Sequence, residues 1–310
     1  MKRTIRLPVC LLGFLMLAPV AQAADGFGKN ATGGAGGKTV TVTTAAEFKA
    51  AVEGKATDPL IIQVQGKIEF DVVRMKIGNK SIVGAGTKPT LSGNLMIAGA
   101  TNVILQDLIL TNPAEKTDTL TIIRGAKDVW VDHCTFIDGR DGQCDITRKA
   151  DNVTVSWCKF SYTQSFGHNF SMLIGSSDSA ADDLGTLHVT LHHNWFGELC
   201  DQRMPSVRFG RVHVYNNYYS AANNLYCIRS RIQGEVFVEN NFFEKVKTPF
   251  EIFTTKKGTG LLKATGNKVV ETLGETAPGT DEVFKPSYDY TPEPAESVKE
   301  NVMKGAGCRL

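Results

Sequence analysis

The chain has 310 residues, 42% of them hydrophobic, which is enough for a large buried core. Its 34 Lys and Arg residues nearly balance its 32 Asp and Glu residues, for a formal net charge of +2. This balance leaves no basic surplus of the kind that indicates a nucleic-acid partner.

The N-terminus predicts export. Three basic residues among the first six precede the apolar run Leu7–Val20, and Ala21 and Ala23 supply the small residues that a signal peptidase recognises. The run is too short to span a membrane. We therefore predict a signal peptide at residues 1–23 and a secreted mature chain at residues 24–310, forming one monomeric domain without a membrane partner.

Six cysteines follow the predicted cleavage point: Cys134, Cys144, Cys158, Cys200, Cys227 and Cys308. An exported chain can oxidise its thiols, and an even number permits complete pairing. Because a core of this size does not depend on cross-links, disulfide bonds are expected in a supporting role only.

The mature chain begins irregularly and then becomes regular. Residues Asp25–Gly37 are glycine-rich and polar, whereas Thr39–Thr43 alternates as a short strand. Thr44 and Glu47 have the spacing of a capping box, so a short helix is predicted to follow. The apolar stripe of that helix consists of Phe48, Ala51 and Val52. The aliphatic run Leu60–Val64 predicts the next strand.

One pattern then recurs, in which alternating hydrophobic residues precede two polar positions and an aromatic or aliphatic pair. Its copies begin at Asn102, Asp128, Asn152, His188, Arg211 and Glu235, with separations of 26, 24, 36, 23 and 24 residues. Periods of this length, with one strand pattern and no long helix in each, are typical of a solenoid. The interval of 36 residues contains an insertion.

The repeats predict an all-β fold, a parallel β-helix. Equivalent residues of successive coils lie one strand spacing apart, about 4.8 Å. This stacks Asn194, Asn217 and Asn241 in one column, where their amides can bond to one another. Cys134 and Cys158 fall in the same column at a spacing that a disulfide tolerates, so they are either bonded or two buried thiols.

Other architectures fit the sequence less well, because amphipathic helices and hairpin turns between the strands are scarce. After Gly266 the regularity fades. The proline-containing stretch Thr276–Pro294 and a helix at Ala295–Lys304 are expected to pack along the coils as a tail, ended by a bridge from Cys308.

Three aspartates form the first candidate site. Asp141 and Asp145 share a turn-rich loop, and Asp118 lies one coil earlier. Strand alternation points Asp145 outward between Cys144 and Ile146. Outward carboxylates on neighbouring coils would make a hard-oxygen site suited to Ca²⁺. A solvated acidic patch is an equally good interpretation of the composition.

Several familiar sites are absent from the sequence. Arg140 and the aspartate spacing break the EF-hand pattern. Neither His-Glu-x-x-His nor Gly-x-Ser-x-Gly occurs. His192 and His193 are adjacent in a predicted strand, so they should face opposite sides and cannot share a metal.

The second candidate site is the segment Arg203–Arg208, which reads RMPSVR. Guanidinium groups bind carboxylates in bidentate fashion, so arginines beside a cation site predict a polyanionic, carboxylate-bearing ligand. The alternative is a pair of surface salt bridges.

Four segments in this order resemble the pectate lyases of polysaccharide lyase family one: Val129–His133, Asp141–Asp145, Leu173–Asp178 and Arg203–Gly210. The resemblance covers roughly residues 26 to 270 and then the tail. It implies a right-handed parallel β-helix that cleaves polygalacturonate by Ca²⁺-dependent β-elimination.

The resemblance also implies roles for individual residues. Ca²⁺ would be held by Asp118, Asp141 and Asp145, the C5 proton would be taken by Arg203, and substrate carboxylates would be bound by Arg208 and Arg231. Asp132 and His133 are implied to be structural. The family usually has a substrate-contacting lysine where this chain has Phe170, so that contact is expected to differ.

Two alternatives are weighed against this function. A pectin lyase acts on methylated polymer without Ca²⁺, but it loses the calcium carboxylates, whereas Asp141 and Asp145 are both present. A non-catalytic β-helix that binds polysaccharide would not need Arg203 beside the acidic pair.

Overall fold

The computed structural model describes residues 23–114, 116–222, 224–272, 274, 279 and 282–310. The predicted signal peptide therefore lies outside the described residues, except for Ala23. No helix within these ranges is both long and apolar enough to cross a membrane.

The described chain winds into a parallel β-helix, so the predicted fold class is confirmed. Each full coil crosses three parallel sheets, called here the first, second and third faces. Two long strands, β2 (Leu60–Met75) and β3 (Lys80–Ala98), bend across all three faces.

The remaining strands each belong to one face. The first face contains β1 (Lys38–Val42), β4 (Thr101–Gln106), β7 (Lys127–Asp132), β10 (Asp151–Ser156), β13 (His188–His192), β16 (Arg211–Tyr215), β19 (Glu235–Glu239) and β22 (Leu261–Thr265). The second contains β5 (Ile109–Asn112), β8 (Thr135–Gly139), β11 (Lys159–Ser161), β14 (Trp195–Phe196), β17 (Tyr218–Tyr219), β20 (Phe242–Glu244) and β23 (Lys268–Val270). The third contains β6 (Leu120–Ile123), β9 (Cys144–Ile146), β12 (Leu173–Ile174), β15 (Ser206–Val207), β18 (Ile228–Ser230) and β21 (Phe250–Ile252).

The register of the first face matches the sequence repeats. Val129, Val153, Val189, Val212 and Val236 pair directly from coil to coil. Their side chains are fully buried, so the repeating valines form the spine of one continuous core. The sequence repeats are thus confirmed as coils, and β22 adds a coil beyond them.

Asparagines stack where the chain turns from the first face to the second. The Asn194 amide donates to Oδ1 of Asn217 at 2.9 Å, and the Asn217 amide donates to Oδ1 of Asn241 at 3.0 Å. Asn267 extends this ladder by one coil, at 2.9 Å from Asn241. The predicted column is therefore confirmed, and it satisfies the polar groups of a buried turn.

The expected disulfide bonds are wrong. All six cysteines after the predicted cleavage point are free thiols, including Cys308. Cys134 and Cys158 do occupy neighbouring coils of the asparagine column. Each thiol instead donates to a carbonyl two residues earlier, that of Asp132 at 3.4 Å and that of Ser156 at 3.2 Å. A buried thiol that satisfies itself in this way behaves as a small apolar residue.

A helix covers the N-terminal end of the coils, as predicted. Helix α1 spans Ala45–Glu53, and Thr44 and Glu47 form the expected capping box. Its own residues Phe48 and Val52 are fully buried. The helix thereby shields the first coil, whose apolar interior has no preceding coil to cover it.

The part of the C-terminal tail that the structure describes from residue 282 onward packs along the coils, as predicted; most of residues 276–281 lie outside the described residues. Tyr288 lies on the first face, where its hydroxyl is 2.6 Å from Nδ1 of His213. Glu293 donates its backbone N–H to Oδ1 of Asn216 at 2.8 Å. Helix α2 (Ala295–Gly305) then buries Val298 and Val302 against the second face.

The expected separation of His192 and His193 is wrong. Their Nδ1 atoms lie 2.8 Å apart, and each ring also reaches a carboxylate, Asp25 at 2.9 Å and Glu293 at 3.2 Å. Strand alternation stops at His192, because His193 begins the turn with a φ of 54°. The left-handed backbone there brings the two rings to the same side.

Candidate active site on the third face

The acidic and basic residues singled out by the sequence meet along the third face. Asp145 points outward from β9 between the buried residues Cys144 and Ile146, as the alternation predicts. It pairs in register with Thr121 of the preceding coil, and Ile146 pairs with Ile174 of the following one. The outward surface of this sheet therefore forms one continuous strip that begins at the aspartates and runs towards the arginines, and this strip is called the groove below.

A glycine separates the two inner aspartates. A Cβ atom added to Gly142 would lie 2.9 Å from Oδ1 of Asp118 and 3.1 Å from Oδ1 of Asp145. Any larger residue would push a methylene into the space between these carboxylates. Gly142 therefore leaves open a small cradle lined by carboxylate oxygens.

The acidic cluster is under electrostatic strain. Burial, followed by the charge of Asp141, raises the pKa of Asp118 to about 6. Burial and the charge of Asp118 raise the pKa of Asp145 well above its usual value. The positive charge of Arg203 opposes both shifts. Carboxylates held together in this way favour a nearby cation.

The donor set fits a hard divalent cation, although it is incomplete as a cage. Among the described side chains, no three His, Cys, Asp or Glu residues converge closely enough to hold a metal ion by themselves. Asp118 and Asp145, with the remaining positions filled by water, by Asp141 or by a carboxylate-bearing ligand, could supply the six to eight oxygens that Ca²⁺ prefers. The cradle beside Gly142 and the hard-oxygen chemistry both agree with such an ion.

Asp141 is the outermost of the three aspartates. Its side chain is 49% exposed, and its Oδ1 lies 3.6 Å from Nδ1 of His168. Burial lowers the pKa of His168; Asp141 opposes this shift and Arg203 adds to it. His168 is thus a neighbour of the cluster that the sequence did not single out.

Arg203 lies in the segment between β14 and β15, shortly before β15 begins. Its carbonyl accepts a hydrogen bond from the Met172 N–H at 2.6 Å, which attaches it to the coil beside Asp145. Its guanidinium lies over the ring of Phe170, with Cζ 4.1 Å from the ring centroid. In the described part of the chain, no hydrogen bond or ion pair reaches this guanidinium.

Arg208 and Arg231 are held by one carboxylate, that of Asp178. Arg208 donates from Nε to one oxygen at 2.5 Å, and Arg231 donates from Nη2 to the other at 2.9 Å. Burial tends to raise the pKa of Asp178, but its hydrogen bonds and ion pairs with the two arginines keep it below the usual value. Asp178 ends the segment Leu173–Asp178, one of the four that carry the family resemblance, but the sequence predicted no role for it.

The loop that carries Asp178 depends on close backbone contact. Gly175 has a φ of 85°, and a Cβ atom there would lie 2.5 Å from the carbonyl oxygen of Arg208. Arg208 also donates from Nη1 to the Gly175 carbonyl at 3.2 Å. A side chain at residue 175 would therefore displace the arginine as well as strain the backbone.

Comparison with known proteins identifies the family. The family model described as pectate lyase matches residues 7–309.

The chain belongs to the pectate lyase family.

Over 296 residues it is 36% identical to the pectate trisaccharide-lyase of Bacillus licheniformis, covering 89% of this chain and 82% of that protein. It is 33% identical over 281 residues to pectate lyase A of Emericella nidulans, with 87% and 80% covered.

Solved pectate lyase structures share the fold. A pectate lyase from Bacillus sp. N165 in complex with trigalacturonate superposes with a TM-score of 0.80 at 28% identity, covering 92% of this chain and 98% of that one. The protein is therefore a pectate lyase enzyme. In a pectate lyase, a face that joins carboxylates to arginines is the natural candidate for the active site.

Asp132 and His133 lie elsewhere, on the first face. Asp132 is fully buried and accepts hydrogen bonds from Ser156 at 2.8 Å and from Gln106 at 3.0 Å. Nδ1 of His133 lies 2.6 Å from Oδ2 of Asp132, the oxygen that also accepts from Gln106. These contacts agree with a structural role for both residues.

Proposed function

We propose that this enzyme cleaves de-esterified polygalacturonate by Ca²⁺-dependent β-elimination and releases 4,5-unsaturated oligogalacturonides. One observation carries the proposal: Asp145 accepts a hydrogen bond from the Leu173 N–H at 3.1 Å, and the adjacent Met172 N–H donates to the Arg203 carbonyl at 2.6 Å, which brings the carboxylate cradle and the arginine segment onto neighbouring coils of one face. The relatives named pectate lyase, and the trigalacturonate complex of one structural neighbour, support the substrate class.

The acidic cluster would hold the metal. Asp118 and Asp145 would bind Ca²⁺ across the space left by Gly142, and the exposed Asp141 would complete the carboxylate set. When bound, Ca²⁺ would neutralise a substrate carboxylate and stabilise the negative charge that develops beside it.

The arginines would bind and deprotonate the substrate. Arg208 and Arg231 carry two positive charges against the single negative charge of Asp178, which leaves a net positive charge for a uronate carboxylate. With that carboxylate held, the proton on C5 of the sugar becomes more acidic because the resulting charge delocalises into the carboxylate. Arg203 would accept the C5 proton, the C4–O bond would break, and the departing oxygen would take a proton from water.

A base role for arginine sets a condition on pH. A guanidinium in water stays protonated at ordinary pH. The C5 proton can therefore pass only to an Arg203 that has transiently lost its own proton, which higher pH favours. We therefore expect an alkaline rate optimum; a rate that is flat from about pH 5 to about pH 10 would argue against this role for Arg203.

An absorbance assay for the unsaturated product tests the proposal. On polygalacturonate, product should form with added Ca²⁺, should cease with EDTA, and should be lost in Arg203→Lys. EDTA-resistant product on methylated pectin would favour a pectin lyase. Polymer binding without product in the presence of Ca²⁺ would favour a non-catalytic binding module.

Export is part of the same proposal, because the polymer lies outside the cell that secretes such an enzyme. We propose that the signal peptide at residues 1–23 is removed and that the mature chain acts as a secreted monomer. Mass spectrometry of the protein recovered from the medium should give an N-terminus at Ala24. Light scattering should give the mass of one chain.

A further inference from the structure

The guanidinium of Arg203 is held differently from those of the other groove arginines. Arg208 and Arg231 are each fixed by a carboxylate oxygen of Asp178. Arg203 has no such anchor among the described residues, and the contact recorded for its guanidinium is the face of Phe170, 4.1 Å away. A long side chain without hydrogen bonds samples several rotamers, so the aromatic face is what limits the freedom of this one.

Phe170 is itself held firmly. The backbone carbonyl of Phe170 accepts a hydrogen bond from the hydroxyl of the buried Tyr162 at 2.7 Å. The Phe170 backbone also forms a parallel β-bridge with Gln202, the residue before Arg203. The edge of the His168 ring packs against the Phe170 ring at a centroid distance of 3.7 Å. Phe170 and Arg203 therefore meet as neighbours on adjacent coils, with the ring supported from behind.

The loop that presents this ring is ordered by internal hydrogen bonds. The buried Asn169 donates to the carbonyls of Gln164 at 3.0 Å and Leu199 at 3.1 Å, and it accepts from the Phe166 N–H at 2.8 Å. These bonds fix the loop that carries the Phe170 ring.

We propose that Phe170 is a positioning residue for Arg203, whose guanidinium it orients through a cation–π contact, with His168 as the buttress of the ring. The inference rests on the proposed function, since it concerns the arginine that would accept the C5 proton. An aromatic face orients the guanidinium without competing for the hydrogen bonds that Arg203 would make to the sugar. An anionic partner would occupy those same N–H groups.

Turnover measurements on Phe170 variants test this role. Phe170→Leu should lower kcat roughly 3- to 30-fold, the range expected for a cation–π contact, and leave KM for polygalacturonate within about twofold. Phe170→Tyr should retain most of the activity because it keeps the aromatic face. Phe166→Leu removes the other ring of the same loop, which packs on Tyr162 with centroids 6.2 Å apart, and should leave kcat near the wild-type value.

Three results would overturn the role. A higher KM with unchanged kcat in Phe170→Leu would make Phe170 a substrate contact, and a Phe170→Lys variant more active than wild type would show that a cation suits this position better than a ring. Equal losses in Phe166→Leu and Phe170→Leu would assign both effects to loop folding.

NMR separates this inference from the proposed function. In protein labelled with ¹⁵N-arginine, the Nε–Hε signal of Arg203, assigned with Arg203→Lys, should show a ring-current shift that Phe170→Leu removes and Phe170→Tyr keeps. Loss of the shift together with signal averaging would support positioning even if the wild type releases no unsaturated product. A signal that is identical in wild type and Phe170→Leu would overturn the inference whatever the enzyme's reaction.

Discussion

Asp178 accepts a hydrogen bond from Nε of Arg208 at 2.5 Å, and this contact determines where the guanidinium points. The other oxygen of the same carboxylate accepts from Arg231 at 2.9 Å. One side chain on the third-face loop thus fixes two arginines that belong to successive coils. The geometry of the proposed carboxylate-binding end of the groove therefore depends on a residue that need not touch the substrate.

Replacing Asp178 by Asn should lower kcat/KM on polygalacturonate by about tenfold, because charge-assisted hydrogen bonds contribute on the order of 1.5–3 kcal/mol and two are weakened together. The loss should fall mainly on KM, since the arginines it orients bind substrate. The matched control is Asp182→Asn, four residues further along the chain. It removes an exposed carboxylate whose Oδ2 lies 3.6 Å from Nζ of Lys149, and it should leave kcat and KM unchanged. Wild-type kinetics in Asp178→Asn would contradict the assignment.

Calcium should stabilise the protein as well as activate it. Burial and neighbouring charge raise the pKa values of Asp118 and Asp145, so without a cation the ionised pair opposes folding increasingly as pH rises through these pKa values. We expect Ca²⁺ to raise the Tm at pH 8 and EDTA to reverse the increase.

Asp145→Asn should abolish that response and should melt higher than the wild type in EDTA, because one of the repelling charges is gone. Asp71→Asn, which removes an exposed carboxylate of β2, should behave like the wild type. An identical Ca²⁺-induced increase in Tm for Asp145→Asn would place the ion elsewhere.

The fold was predictable because each coil of a solenoid repeats the same pattern of residues in the sequence. Val129, Val153 and Val189 recur with the coil and pair in register, and Asn194 and Asn217 recur where each coil turns. Repeated positions indicate their neighbours directly, since the next coil repeats the same environment. The outward direction of Asp145 followed from simple alternation.

Features that occur only once were not predictable in this way. The contact of His192 with His193 depends on a left-handed residue at the end of a strand, and the alternation rule does not apply there. Asp178, which binds Arg208 and Arg231, and the ring of Phe170 both lie between the repeats that begin at Asn152 and His188. This interval contains the insertion, and no other repeat has an equivalent segment that would indicate its neighbours. Column position alone could not distinguish a disulfide from the thiols of Cys134 and Cys158.

The asparagine ladder should be most sensitive at its centre. Asn217 accepts from Asn194 and donates to Asn241 and to the carbonyl of Leu191, all within the buried turn. Asn217→Ala should reduce the free energy of unfolding by about 2–4 kcal/mol, because buried partners lose their hydrogen bonds. Asn267→Ala, at the partly exposed end of the ladder, should cost about 1 kcal/mol. If urea denaturation gave the same loss in the free energy of unfolding for Asn217→Ala and Asn267→Ala, the ladder would not act as a cooperative element.

Reducing agents should not change the stability of the protein. Because all six cysteines after the predicted cleavage point are free and five of them are buried, dithiothreitol should leave the Tm unchanged. Thiol titration in denaturant under non-reducing conditions should detect all of them. A lower Tm in reducing agent would instead reveal a disulfide bond.

Acid should destabilise the first face through His193. Burial and the neighbouring His192 lower its pKa to about 4, against about 6.5 in an unfolded chain. The unfolded state therefore binds a proton at a higher pH than the folded state does, and stability is lost as pH falls from about 6.5 towards about 4, by up to about 3 kcal/mol. His213, whose pKa burial also lowers, should add to the loss.

The variant His193→Asn isolates this contribution. Asn tolerates the φ of 54° at residue 193, and Asn216 and Asn240 hold the equivalent position in the next two coils with φ values of 51°. The substitution sacrifices the contacts to His192 and Glu293, so stability at pH 7 should fall modestly. Between pH 7 and pH 4.5, however, the free energy of unfolding measured by urea titration should decline less steeply than in the wild type, because one group that protonates only on unfolding is absent. Parallel declines in the two proteins would show that His193 does not stay neutral in the folded state.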